Sequence, residues 1–176
     1  TTAHKAIVQE VADRSVTLLK NENILPLKNI NSERIVHIII QQNENQPAVQ
    51  TLIKKMNMAF KGIKNYTLRP DLSKQYFDKV DEAVRNSDLI ILSLLVVRDR
   101  YGDTAPLRVD DLAFIQKIIS EKPGAVIALS FGNPHVIQKI SDVPVFLVGY
   151  GEGGWQGNQI VYFDSFVKIL KGELIP

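Results

Sequence analysis

The sequence predicts an α/β fold: a three-layer α/β/α sandwich around a mostly parallel sheet of five to six strands. Three observations predict it. Short unbroken apolar runs, clearest at Ile35–Ile40 (IVHIII) and Asp88–Val96 (DLIILSLLV), read as strands buried on both faces. These runs alternate with amphipathic stretches at helical spacing, the pattern of right-handed crossovers that cover both faces of a parallel sheet. The chain has 176 residues, is 45% apolar and carries a formal net charge of +2, which suits one folded domain spanning 1–176 and argues against disorder.

The elements follow in order. Val8, Ala12, Val16 and Leu19 fall at helical spacing, so Ala3–Leu19 is expected to be an amphipathic helix with that face buried. Asn21, Glu22 and Asn23 break the pattern, and Asn can take the left-handed conformation that ends helices. Pro26 biases Leu25 toward extended geometry, so the chain is expected to leave that helix straight. After the Ile35–Ile40 strand, Pro47–Phe60 reads as a helix through Val49, Ile53, Met56 and Phe60. Tyr66–Leu68 is a weaker strand. Leu72–Asn86 reads as a helix through Phe77, Val80 and Val84, with Ser73 near its start. The Asp88–Val96 strand precedes a helix over Asp110–Ser120, which turns Leu112, Ile115, Ile118 and Ile119 inward. Pro123-Gly124 leads to a strand at Ala125–Ser130. A short helix over Asn133–Ile140 carries Pro134 in its first turn. Val143–Val148 is the last strand and Gln156–Leu170 the closing helix. No internal repeat, low-complexity segment or linker interrupts this order.

Composition excludes some functions. The small net charge is spread along the chain, so no nucleic-acid surface is expected. No run of about eighteen apolar residues is present, so no membrane span is expected. With no cysteine there is neither disulfide nor thiolate chemistry. Thr1 is not an initiator Met and the helical pattern is already under way, so the chain is expected to be a piece of a longer protein whose targeting information is missing.

In such sheets ligands gather beyond the carboxyl ends of the strands. Four segments qualify: Gln41–Gln46, Val97–Leu107, Phe131–His135 and Gly149–Gln156. Val97–Leu107 (VRDRYGDTAPL) is the richest. Arg98, Asp99, Arg100 and Asp103 can donate to and accept from sugar hydroxyls, or can form a solvated, self-paired charge loop; both readings stand. In Phe131–His135 (FGNPH), Asn133 is suited to cap a helix and His135 could reach a ligand. Gly149–Gly154 (GYGEGG) formally matches G-x-G-x-x-G. It follows the last strand rather than the first, so a tight backbone path is the better reading than nucleotide binding. Glu152 and Trp155 lie beside it, where a sugar could bond or stack, although Trp155 suits a core plug equally well. His4, His37 and His135 show no metal-ligand spacing, and no metal or cofactor is expected. His37, inside its apolar run, reads as a satisfied core or edge residue. No G-x-S-x-G elbow supports a serine hydrolase.

Two stretches carry a family resemblance. Arg14–Leu27 (RSVTLLKNENILPL) places Ser15, Leu18, Leu19, Lys20, Asn21, Leu25, Pro26 and Leu27 in the pattern S-x-x-L-L-K-N, polar residues, L-P-L. Far downstream, Ala128–Pro134 (ALSFGNP) looks like a strand ending in F-G-N-P. Together they resemble the C-terminal domain of glycoside hydrolase family 3, which also carries a glycine turn similar to that at Gly151–Gly154. The resemblance implies a mostly parallel sheet between helical layers, a catalytic N-terminal barrel as partner in the same chain, and a carbohydrate substrate shared with it. It slightly favours a periplasmic or extracellular location. The family's β-glucosidase-like members carry a general-acid Glu in an E-G-x-D-R-like loop, and Val97–Leu107 has no Glu. That departure favours the β-N-acetylglucosaminidase branch, whose catalytic Asp and His–Asp pair lie in the barrel. The barrel motifs themselves are absent, so no catalytic residue is expected in this chain. A stand-alone flavodoxin-like ligand- or nucleotide-binding module, and a purely structural domain, are the alternatives.

Overall fold

The computed structural model describes residues 2–28, 30–41, 47–69, 72–96, 107–150 and 160–176. Its elements are α1 (Thr2–Ser15), β1 (Thr17–Asn21), β2 (Ile35–Gln41), α2 (Pro47–Ala59), β3 (Lys64–Leu68), α3 (Lys74–Arg85), β4 (Leu89–Leu95), α4 (Val109–Glu121), β5 (Val126–Ser130), β6 (Val145–Val148) and α5 (Ile160–Lys171). Short 3-10 turns occupy Ser32–Arg34 and Pro134–Lys139. The six strands form one sheet in the order β1-β6-β5-β4-β2-β3. Strands β2 to β6 are parallel, and β1 runs antiparallel along the free edge of β6.

Alternation along the strands divides the core. Val36, Ile38 and Ile40 of β2 and Ile90, Leu92 and Leu94 of β4 face α3 and α4, which supply Val80, Val84, Phe114, Ile115 and Ile118. Ile35, Ile39, Leu89, Ile91 and Leu95 face the other way, against Leu52 and Met56 of α2, Phe60 just past it, and Phe163, Phe166 and Ile169 of α5. Both faces of the sheet are covered, which is why β2 and β4 read as unbroken apolar runs. Phe131, just past β5, meets Phe163 and Phe166 edge-on at 5.0 and 4.7 Å.

The amino-terminal reading is corrected. The helix stops at Ser15, and Thr17–Asn21 is a strand instead of its last turn. Ala12 and Val16 are buried as expected, but Val8 and Leu19 are exposed. Helical spacing over the last turn is also compatible with an edge strand. Pairing with β6 satisfies main-chain groups on both strands, and Leu18 reaches the core. Asn21 then turns the chain, its Oδ1 accepting from the Ile24 and Leu25 N–H groups at 3.1 Å each. Asn23 does take the left-handed conformation (φ 61°), after a strand and not a helix. The Leu25–Pro26 bond is cis. The Leu27 N–H donates to the Leu170 carbonyl at 2.8 Å, tying this segment to the end of α5. There Gly172 has φ 78°, and a Cβ on it would lie 2.8 Å from Pro26 Cβ. The L-P-L string is therefore a clasp between the two ends of the domain. Downstream, the short helix expected at Asn133–Ile140 is a 3-10 turn over Pro134–Lys139.

Candidate functional site

Chain order in the sheet identifies where a ligand crevice would open. Strand β2 passes to β3 on one side, while β4, β5 and β6 follow on the other, so the order reverses between β2 and β4. The carboxyl ends of those strands form the rim where such sheets bind ligands. Of the sequence-predicted site residues, Arg98, Asp99, Arg100, Asp103, Glu152 and Trp155 lie outside the described residues. Asn133 and His135 are described, and both sit just past β5 on that rim.

Asn133 is buried and caps the turn that follows: its Oδ1 accepts the His135 N–H at 2.9 Å. Its carbonyl accepts the Ser130 hydroxyl at 2.8 Å, which locks the strand end to the turn. His135 is exposed at the rim. Gly149 ends β6 with its N–H donating to the Ser130 carbonyl at 2.8 Å. A Cβ there would lie 2.8 Å from the Tyr162 ring, so this glycine allows α5 to approach the strand end closely.

Two rim features escaped sequence reasoning. Arg108 grips Asp111 with two hydrogen bonds, Nε to Oδ2 at 2.6 Å and Nη2 to Oδ1 at 2.8 Å. Asp111 is buried in the first turn of α4, where the helix dipole also favours its charge. The signal was an Arg and an Asp three residues apart at a helix start. Tyr150 is half exposed directly after β6. The rim thus offers an imidazole and a phenol, groups that hydrogen-bond polar ligands, while the Arg108 guanidinium is engaged by Asp111.

Away from the rim lies an arrangement that superficially resembles a nucleophile with its base. His37 Nε2 stands 2.8 Å from Ser93 Oγ, and its Nδ1 stands 2.8 Å from Asn65 Oδ1. Asn65 donates its Nδ2 to Asn57 Oδ1 at 2.8 Å, so its oxygen faces His37. Nδ1 therefore carries the imidazole proton and Nε2 accepts from Ser93. His37 and Ser93 are both fully buried, so no substrate can reach them. Burial pushes the His37 pKa down to about 4, against the smaller opposing effect of the Asn65 hydrogen bond, and the ring is neutral at pH 7. It is a structural bridge across β3, β2 and β4, as its place in the apolar run suggested. Among the described residues no cluster of three or more His, Asp or Glu could hold a metal ion. No described helix is long and apolar enough to cross a membrane.

No protein-family model matches this chain, and no curated protein matches it. Solved structures do. The chain is similar to a glycoside hydrolase family 3 β-N-acetylglucosaminidase from Paenibacillus sp. str. FPU-7, with TM-score 0.73 and 16% identity over 99% of this chain and 31% of that one. It is similar to the β-glucoside phosphorylase BglX, with TM-score 0.69 and 19% identity over 99% of this chain and 30% of that one. A third similarity is to a fungal multi-domain family 3 β-N-acetylglucosaminidase that also has a GCN5-related glucosamine N-acetyltransferase region (TM-score 0.70, 14% identity, 98% of this chain, 18% of that one). The chain spans between about a fifth and a third of the solved chains it matches. Its fold is that of the α/β domain carried by glycoside hydrolase family 3 enzymes.

Proposed function

We propose that this chain is the C-terminal α/β domain of a retaining β-glycosidase, of the β-N-acetylglucosaminidase type. One observation carries the reading: the two sequence stretches that resemble family 3, Arg14–Leu27 and Ala128–Pro134, belong to a fold matched over 98–99% of its length by enzymes of that chemistry. The domain buttresses a catalytic barrel and lends the Val97–Leu107 loop to the substrate pocket, where Arg98, Asp99, Arg100 and Asp103 bond sugar hydroxyls. Asn133, His135, Glu152 and Trp155 complete the domain's side of that pocket. The nucleophile and the proton donor belong to the barrel, since this sequence has neither the family's barrel motifs nor a Glu in the loop.

The test is a steady-state comparison on the whole gene product, using aryl β-N-acetylglucosaminide and aryl β-glucoside. Loss of sugar hydrogen bonds in Asp99→Ala or Arg100→Ala is expected to raise KM or lower kcat/KM by about tenfold. A loop that stays out of the pocket leaves both constants unchanged. Because one similar structure is a phosphorylase, the assay is run with and without inorganic phosphate. Formation of a sugar phosphate in place of the free sugar assigns phosphorolysis instead of hydrolysis.

A further inference from the structure

Helix α1 is mounted with its apolar side outward. Its inner side, where Ala12 is buried, packs on α5 and carries a polar seam. In that seam Gln9 Nε2 donates to Ser165 Oγ at 3.0 Å and to the Val161 carbonyl at 3.1 Å. Asp13 accepts from Ser165 Oγ at 2.7 Å and from Lys168 Nζ at 2.6 Å. Burial alone would raise the Asp13 pKa, but these bonds and that from Gln9 outweigh it and hold the group charged, below the usual carboxylate range. The seam therefore fixes the rotation of α1 about its axis.

With that rotation fixed, Ile7, Val8 and Val11 face away from α5 at 58%, 49% and 59% exposure. Positions i, i+1 and i+4 form one continuous patch on a helix. A helix on a protein surface ordinarily turns its apolar stripe to the core and its polar residues to water. Here the two are exchanged. Exposed β-branched residues also add nothing to helix propensity, so their presence on an outer face has no local explanation. The other large exposed apolar residues, such as Met58, Val109 and Ile175, lie in separate elements. Helix α1 also hands the chain to β1 at Thr17, which pairs with Val148 at the carboxyl end of β6. The patch thus belongs to a helix that ends at the same rim as the candidate site.

We propose that the Ile7–Val8–Val11 face of α1 is the surface on which this domain packs against the remainder of a longer enzyme chain. The occupant is part of the same protein, because the matched portion is only 18–31% of the similar solved chains, and a covalently joined neighbour needs no separate recognition to cover a small patch. The inference rests on the proposed function in requiring a longer chain, and it adds which face that chain covers.

Cysteine labelling tests it, since this sequence contains no cysteine of its own. Val11→Cys is made in the 176-residue chain and in the whole gene product, with Lys79→Cys on α3, in the opposite helical layer, as the exposed control. Thiol modification is followed by peptide mass spectrometry. Val11→Cys is expected to react as fast as Lys79→Cys in the 176-residue chain, and at least about tenfold slower in the whole protein. Equal reaction of Val11→Cys in both overturns the inference, even where the whole protein proves to be a glycosidase. A gene product with nothing beyond this domain overturns it too. Concentration-dependent protection in the 176-residue chain alone means that a second copy covers the face, and likewise overturns it. Protection in a whole protein without glycosidase activity upholds the docking face and rejects the functional reading.

Discussion

Protonating His37 should undo much of this domain's stability, and the size of the effect can be worked out. The ring is fully buried between β3 and β4, with both nitrogens hydrogen-bonded. Its pKa falls from 6.5 when exposed to about 4 when folded, principally through burial. The unfolded chain therefore binds the extra proton first. Stability from this group is complete above about pH 6.5, declines as the pH falls, and levels off below about pH 4. A shift of about 2.5 units at 1.36 kcal/mol per unit amounts to about 3 kcal/mol, a large share of the roughly 5–15 kcal/mol typical of a domain. The assay is urea unfolding followed by far-UV circular dichroism at half-unit steps from pH 7.5 to 4, in the natural chain and in His37→Gln. The variant should be less stable at pH 7.5, because the hydrogen bonds are disturbed. Its curve should also be flatter, so that the two converge by about 3 kcal/mol toward pH 4. Every other titrating group is common to both chains and cancels in the difference. Ser93→Ala separates packing from titration: it loses about 1–3 kcal/mol for the unsatisfied Nε2 yet keeps the slope of the natural chain. Parallel curves for the natural chain and His37→Gln would refute the reasoning.

Three further outcomes are expected. Gly172→Ala combines a positive φ with a contact against Pro26 that leaves no room for a Cβ. It should lower stability by about 1–3 kcal/mol in denaturant titration, and an unchanged midpoint contradicts the clasp between the chain ends. Arg108→Ala strands the Asp111 carboxylate, which is 3% exposed, and should cost about 1–3 kcal/mol, since the α4 dipole still favours the charge. The double change Arg108→Ala with Asp111→Ala should cost less than the two single losses added, a coupling that a double-mutant cycle measures directly. ATP and NAD should bind no better than a simple anion of equal charge in calorimetric titration. Micromolar, base-specific binding lost on replacing Gly151 or Gly154 by a bulky residue would restore the nucleotide reading.

The central fold was legible because parallel strands buried on both faces leave an unmistakable trace. In Leu89–Leu95 every residue is buried, and the sequence there is apolar apart from Ser93. Capping was legible for the same kind of reason: Ser73 accepts the Tyr76 N–H and Asn133 the His135 N–H, the jobs their side chains suit best. Strand β1 was not legible. An edge strand is defined by its partner, and Val16, Thr17, Leu18 and Leu19 satisfy helical spacing as readily as extended pairing. The direction of α1 was also hidden. Periodicity reveals that a helix has an apolar face, but Val8 and Val11 face outward because Gln9 and Asp13 find partners on α5, a contact more than 150 residues away in sequence. The rim was legible only in part. The capping role of Asn133 could be read from residue type and place, while the Arg108–Asp111 clamp leaves no sequence signal beyond opposite charges at a helix start.

The most direct test of the account is a comparison of aryl β-N-acetylglucosaminide cleavage by the whole gene product and by the 176-residue domain alone. The account predicts turnover by the whole protein and none by the domain, whose sequence carries no nucleophile or proton donor of the expected kind. Turnover by the rigorously purified domain, lost on Asp99→Ala or Asp103→Ala, would contradict it, as would a whole protein that cleaves no β-glycoside.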